Sequence, residues 1–228
     1  MTGVKDPLWG FFLKILKRWS RAGLYEISEE AFRTAPQNPC VLSIGGFGPV
    51  DMYFRELVTK TDGHYLTLDI DAAHNPDIVA DVMDIVDELN AQKFTPDFIL
   101  ALEVFEHVER IEEALSQCHS CLPKNGVLIA SLPWIIPIHD RPYDYRRLTP
   151  IGLTHVFKDF SSVQIVARGN YYDSIVMILL RGLFSGGKTG KALMLVGSFL
   201  SLISRLPRAY TNLEKIDSTI GYVVIARK

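Results

Sequence analysis

From Cys40 onward, short apolar runs alternate with stretches of helical spacing, and this alternation restricts the chain to a small set of folds. The runs are CVLSI (40–44), HYLTLDI (64–70), DIVAD (77–81), DFILALEVF (97–105) and VLIASLPW (127–134). Near-continuous apolar runs suit strands buried on both faces, the situation of parallel strands covered by helices. RIEEALSQCHSCL (110–122) carries a helical pattern, and PKNG (123–126) is a turn. SSVQIVA (161–167) and STIGYVVIARK (218–228) read as two further strands. The pattern predicts an α/β fold with a doubly wound, mostly parallel sheet.

Two regions lie outside the alternation. Residues 8–22 have helical spacing, with Leu8, Phe12, Ile15 and Trp19 on one face and Lys14, Lys17, Arg18 and Arg21 on the other. A second helix is expected over Ser28–Arg33, with Ser28 capping its first turn. Between the last two strands, SIVMILLRGLF and ALMLVGSFLSLISRL read as helices separated by SGGKTGK. The expected organisation is one domain over 1–228, with a helical cap at 1–35 and a helical insertion at 170–218.

Composition excludes several classes. A formal net charge of −2 argues against a general nucleic-acid binder, which would carry a basic excess. Three cysteines make no disulfide framework and point to a reducing, cytoplasmic setting. Cys118 and Cys121 have the spacing of half a zinc site, but no second pair exists, so free thiols on a helix are expected and no metal. The longest apolar run, Ala192–Ile203, is 12 residues, short of the roughly 18 that span a bilayer. The apolar, basic helices suggest either peripheral attachment at a membrane face, or cleft cover and a homodimer interface.

Chemistry is sought at the carboxyl ends of the strands, where open α/β sheets bind ligands. The first end carries Gly45, Gly46 and Gly48; the second carries Asp69, 21 residues after Gly48. An acid about 20 residues beyond such a bend suits a ribose, because two carboxylate oxygens can accept from two neighbouring hydroxyls. If Gly46 and Gly48 begin a dinucleotide fingerprint, its third glycine falls on Asp51. A carboxylate there repels a pyrophosphate but attracts a cation, by about 4 kcal/mol at about 4 Å and an effective dielectric near 20. The sign favours a sulfonium-bearing cofactor over NAD.

At this point the sequence resembles the class I S-adenosylmethionine-dependent methyltransferases, particularly small bacterial members of glycan or natural-product pathways. The matching stretches are VLSIGGFG, YLTLDID, DIVADVMDI, DFILALEVFEHV, PKNGVLIASLP and HDRPYDYRRLTPIGL, with GYVVIARK at the end. The resemblance implies a Rossmann-like, seven-stranded sheet whose last strand runs antiparallel at one edge. It implies S-adenosyl-L-methionine held by Gly45, Gly46, Gly48, Asp69, Asp81, Val82 and Glu103, with Asp81 and the Val82 amide at the adenine. Asp81 would equally serve as a helix cap. Glu106 is expected to be structural or solvent-facing, and His107 to bond the backbone or reach the site. Ser43 stands where the family carries an acid, and Phe47 crowds the glycine bend; Asp51 is a candidate replacement.

The acceptor patch is read at 139–147. His139 is the expected base, since an unperturbed imidazole titrates near neutrality, with Asp140 or Asp144 to orient it. Tyr143 and Arg147 are expected to face the acceptor, against the alternative that Asp144 and Arg147 pair to brace the loop. The expected activity is methyl transfer to a small molecule, sugar or glycolipid hydroxyl. A non-catalytic binding protein and an NAD(P)-dependent oxidoreductase are the alternatives.

Overall fold

The computed structural model describes residues 14, 20, 21, 23–181, 187–203 and 218–228. The expected helix at 8–22 lies almost wholly outside these residues. Seven strands form one sheet in the order β3-β2-β1-β4-β5-β7-β6. Its strands are β1 (Cys40–Ile44), β2 (His64–Asp69), β3 (Ile78–Val79), β4 (Phe98–Leu102), β5 (Val127–Pro133), β6 (Ser162–Arg168) and β7 (Gly221–Arg227).

The first five strands pair in parallel, with Val41 opposite both Tyr65 and Phe98, and Leu100 opposite Ile129. β7 supplies the antiparallel element, inserted between β5 and β6. Its direction follows from Lys228 N–H bonding the Gly126 carbonyl at 3.0 Å while Trp134 N–H bonds the Ile220 carbonyl at 2.9 Å. β1 leads to β2 on one side and lies beside β4 on the other, so strand order reverses between β1 and β4, leaving a crevice beyond their carboxyl ends.

By internal contacts the chain forms two compact units. The larger comprises 26–132, 140–165 and 223–228. It holds β1–β4 with α2 (Gly48–Thr59), α3 (Ile85–Gln92), α4 (Ile111–Cys121) and α5 (Pro150–Val156). Strand side chains Val41, Leu42, Ile99, Leu100, Leu128 and Ile129 are fully buried, as the unbroken apolar runs require. Phe54 and Val58 of α2 and Ala114, Leu115 and Cys118 of α4 are also buried, at the three-to-four-residue spacing of one helix face. Cys118 and Cys121 are free thiols on α4, and burial pushes Cys121 up to about 11.

The smaller unit comprises 1–25, 133–139 and 166–222. Its described helices are α6 (Tyr171–Arg181) and α7 (Gly187–Ile203), and Val176, Met177, Leu180 and Ile220 form its core. The α6 start is fixed reciprocally: Asn170 Oδ1 accepts from Asp173 N–H at 3.2 Å, and Asp173 Oδ2 accepts from Asn170 N–H at 2.9 Å. α7 begins inside SGGKTGK, which the sequence assigned to a flexible connection. Gly197 explains how closely the two helices lie, since a Cβ there would stand 2.9 Å from Leu179 Cβ and from Leu180 N.

One helix start differs from expectation. α1 spans Leu24–Phe32, so Ser28 lies mid-helix and fully buried rather than capping a first turn. The buried stripe Leu24, Ile27 and Ala31 begins one turn earlier, just past Gly23 at φ +76°. No helix among the described residues is long and apolar enough to cross a membrane.

Candidate active site

The glycine bend at the end of β1 is built for close approach. Gly45 has φ +65°, and a Cβ there would meet Val104 Cγ2, beyond β4, at 2.7 Å. At Gly46 a Cβ would lie 2.6 Å from Ser43 Oγ, 2.7 Å from Asp51 Oδ1 and 2.9 Å from Thr67 Cγ2. Gly48 has φ +77° but open space around it, so its need is conformational alone. Asp51, in the first turn of α2, accepts from the Tyr65 hydroxyl at 2.7 Å. Burial, with Asp51 beside it, outweighs the opposing Ser43 bond and Arg55 and holds that phenol far above its ordinary range. Arg55 lies over the Tyr65 ring at 5.0 Å and reaches Asp77 at 3.2 Å. Partial burial pushes the Asp77 carboxyl up, but donors from Thr67 and Arg55 outweigh it and hold it below the usual carboxylate range.

Asp69 closes β2 and is 7% exposed. Its Oδ1 accepts from Asp71 N–H at 2.8 Å, and its Oδ2 lies 2.9 Å from His74 Nδ1. A short 3₁₀ turn, Ala72–His74, delivers that imidazole, with Asp71 capping Ala73 N–H and Asn75 in the left-handed region ending it. The Phe47 ring lies on His74, centroids 3.8 Å apart and planes within 11°. His74 escaped the sequence analysis; a histidine five residues past the acid was the available signal. Asp81 caps the Val82–Asp84 turn, accepting from Met83 N–H at 3.0 Å, and Val82 is buried.

These groups line a cavity of about 410 Å³ at the ends of β1, β2 and β4, within the usual size range of small-molecule sites. Gly45, Phe47, Asp69, His74, Asp81 and Val82 form one side; Glu103, His107, Glu109 and Tyr145 contribute to the other. Gly46 lines a smaller adjoining space of about 40 Å³ with Ser43 and Asp51, and Gly48 lines neither. Glu103 takes φ +60°, an uncommon conformation for this residue, which functional sites often impose. Two bonds lock it: Glu103 N–H donates to Ser131 Oγ at 2.9 Å, and that hydroxyl donates to Glu103 Oε1 at 2.9 Å.

The 140–147 segment braces the wall formed by 103–110. Arg146 bonds the carbonyls of Phe105 at 2.9 Å, Val108, and Glu109 at 2.5 Å. Tyr145 N–H donates to the Glu106 carbonyl at 2.9 Å, and His107 Nδ1 lies 2.9 Å from the Tyr143 carbonyl. Asp144 and Arg147 form a two-pronged pair at 2.5 and 2.8 Å. Asp140, Tyr143, Asp144 and Arg147 do not line the cavity; Tyr145 does. The Asp140 carboxylate stands 3.9 Å from His107 Nε2, and His139 belongs to the smaller unit. Of the two alternatives expected for Glu106, the structural one fits and the solvent-facing one does not: its side chain is fully buried, with Oε1 3.7 Å from His107 Nε2.

The family described as "Methyltransferase domain" matches residues 16–149, more than half of the chain. The chain belongs to this family. No curated protein sequence matches it. Among solved structures, the methyltransferase domain is similar to an S-adenosylmethionine-dependent methyltransferase from Archaeoglobus fulgidus. That match has 16% identity and TM-score 0.58, over 98% of this chain and 100% of the other. A phosphoethanolamine N-methyltransferase 2 from Haemonchus contortus, in complex with S-adenosylhomocysteine, is 12% identical, with TM-score 0.51 over 95% of this chain and 57% of that one. The CurJ carbon methyltransferase is 16% identical, with TM-score 0.52 over 90% and 52%. At these identities the likeness is one of fold.

Proposed function

We propose that this methyltransferase domain moves a methyl group from S-adenosylmethionine to a hydroxyl of a small-molecule or sugar-containing acceptor. The observation that carries the cofactor is Asp69, a buried carboxylate at the end of β2, facing the same cavity as the glycine bend. The lining fits the group. Asp69, Asp81, Glu103 and Glu109 are acidic, while Arg110 is paired with Glu113 at 2.7 Å. Such a wall disfavours a pyrophosphate and favours a ligand with positive charge. When bound, the cofactor supplies an electrophilic methyl on cationic sulfur. Asp69 would hold the ribose diol, Asp81 and Val82 the adenine end, and Gly45 the close approach of the backbone.

An alcohol must lose its proton as the oxygen–carbon bond forms and the carbon–sulfur bond breaks. We assign that proton to His107. It lines the cavity, and its Nδ1 is bonded to a carbonyl, which fixes Nδ1 as the protonated nitrogen and Nε2 as the basic one. Glu106 and Asp140 stand near enough to stabilise the imidazolium. His139, the base expected from sequence, is the comparison.

Calorimetry tests the cofactor assignment. S-adenosylhomocysteine should bind with one site per chain and NAD should not bind, and Asp69→Ala should weaken binding at least tenfold, the scale of a lost charge-assisted hydrogen bond. With an acceptor in hand, His107→Gln should lower kcat by about 10²-fold or more and His139→Gln by much less. Equal losses would remove the assignment to His107.

A further inference from the structure

We propose that His74 is a positioning residue for the cofactor's ribose, and that Phe47 is the platform that keeps it in place. The inference rests on the proposed use of S-adenosylmethionine. A carboxylate grips two vicinal hydroxyls only if its plane is fixed, because each oxygen must meet one hydroxyl proton. Asp69 has both oxygens held by this chain: Asp71 N–H holds Oδ1 at 2.8 Å, and His74, itself on the cavity wall, holds Oδ2 through Nδ1 at 2.9 Å. Each oxygen can still accept a second hydrogen bond.

The first restraint is backbone and cannot swing. The second is a side chain, and its ring is held by stacking on Phe47. Phe47 is more than half exposed, so its position buries little; its face is spent on the imidazole. Phe47 also immediately precedes Gly48, where the bend enters α2. The ring pair therefore links the glycine bend of β1 to the acid of β2, along the wall that a nucleoside would meet.

Three substitutions separate the parts. His74→Phe keeps a ring for Phe47 and removes the N–H. His74→Asn keeps an N–H at the Nδ1 position and removes the ring. Phe47→Ala removes the platform and leaves the 69–75 turn untouched. The probes are S-adenosylhomocysteine and its 2′-deoxy and 3′-deoxy counterparts, with dissociation constants from calorimetry. The wild-type protein should prefer the intact diol by about tenfold or more. In His74→Phe the preference should fall to within about twofold, in Phe47→Ala it should fall part-way, and in His74→Asn it should largely persist.

A purely structural role for His74 would weaken all three probes alike and leave the preference intact; that result in His74→Phe overturns the proposal. Should His74→Phe fail to fold, an unchanged preference in Phe47→Ala overturns it equally. If the wild-type protein binds none of the probes, the cofactor reading itself falls. Binding of the intact diol with no change in preference in either variant refutes only the role of His74 and Phe47.

Discussion

At the residue scale, Asp144 shows how a motif can be read for chemistry and be used for architecture. Its side chain is 1% exposed and both oxygens are engaged by Arg147. Removing one member of a buried pair leaves the other charge without its counter-ion, which costs about 3–5 kcal/mol where burial is deep. Arg147 keeps some solvent access, so Asp144→Ala should cost about 3 kcal/mol, read as a lower urea midpoint at constant slope. A loss of under about 1 kcal/mol would mean that the pair braces nothing. The sequence offered the Asp144–Arg147 pair as one of two alternatives, and the observed contacts match it. Asp69 could be placed by its distance from the glycines. His74 could not, since its approach depends on a 3₁₀ turn and a left-handed Asn75. For Glu106 the sequence left a structural and a solvent-facing role open, and its burial in the fold selects the first.

At the scale of elements, the glycine bend makes a graded prediction. Gly46→Ala drives a methyl against three neighbours inside 3.0 Å, and overpacking of this kind costs about 1–3 kcal/mol. Gly48→Ala meets no neighbour and incurs only the penalty of a left-handed backbone, about 1 kcal/mol. Denaturant titrations should rank the two in that order; the reverse order would mean that the space around Gly46 relaxes freely. The strands themselves were readable because two-sided burial leaves an unbroken apolar signature. Element ends were less so. α1 starts a turn before its expected cap because the stripe through Leu24 continues past it, and α7 extends into a glycine-rich connection. Composition marks glycines as breakers, while closely packed helices recruit them.

At the scale of the whole molecule, alternation sufficed for the α/β class and the resemblance for seven strands, but strand order belongs to three dimensions. That β7 inserts between β5 and β6 follows from hydrogen bonds near both ends of the strand. A ligand that binds only the folded chain adds its own free energy to stability. At a hundred times its dissociation constant, S-adenosylhomocysteine should contribute about 2.7 kcal/mol. For a chain of 228 residues this is a rise of about 5–10 °C in Tm, checked by calorimetric melting with and without the compound. The Asp69→Ala protein should show little of that rise at the same concentration.

The cavity draws its lining from Gly45 at one extreme and Tyr145 at the other, with Asp69, Asp81 and Glu103 between them in the chain. A molecule seated there acts as a reversible staple across segments that part company when the chain opens. Proteases cut opened chains, so degradation slows as occupancy rises. On the proposed use of S-adenosylmethionine, survival of the protein against proteolysis would then rise with the supply of that compound.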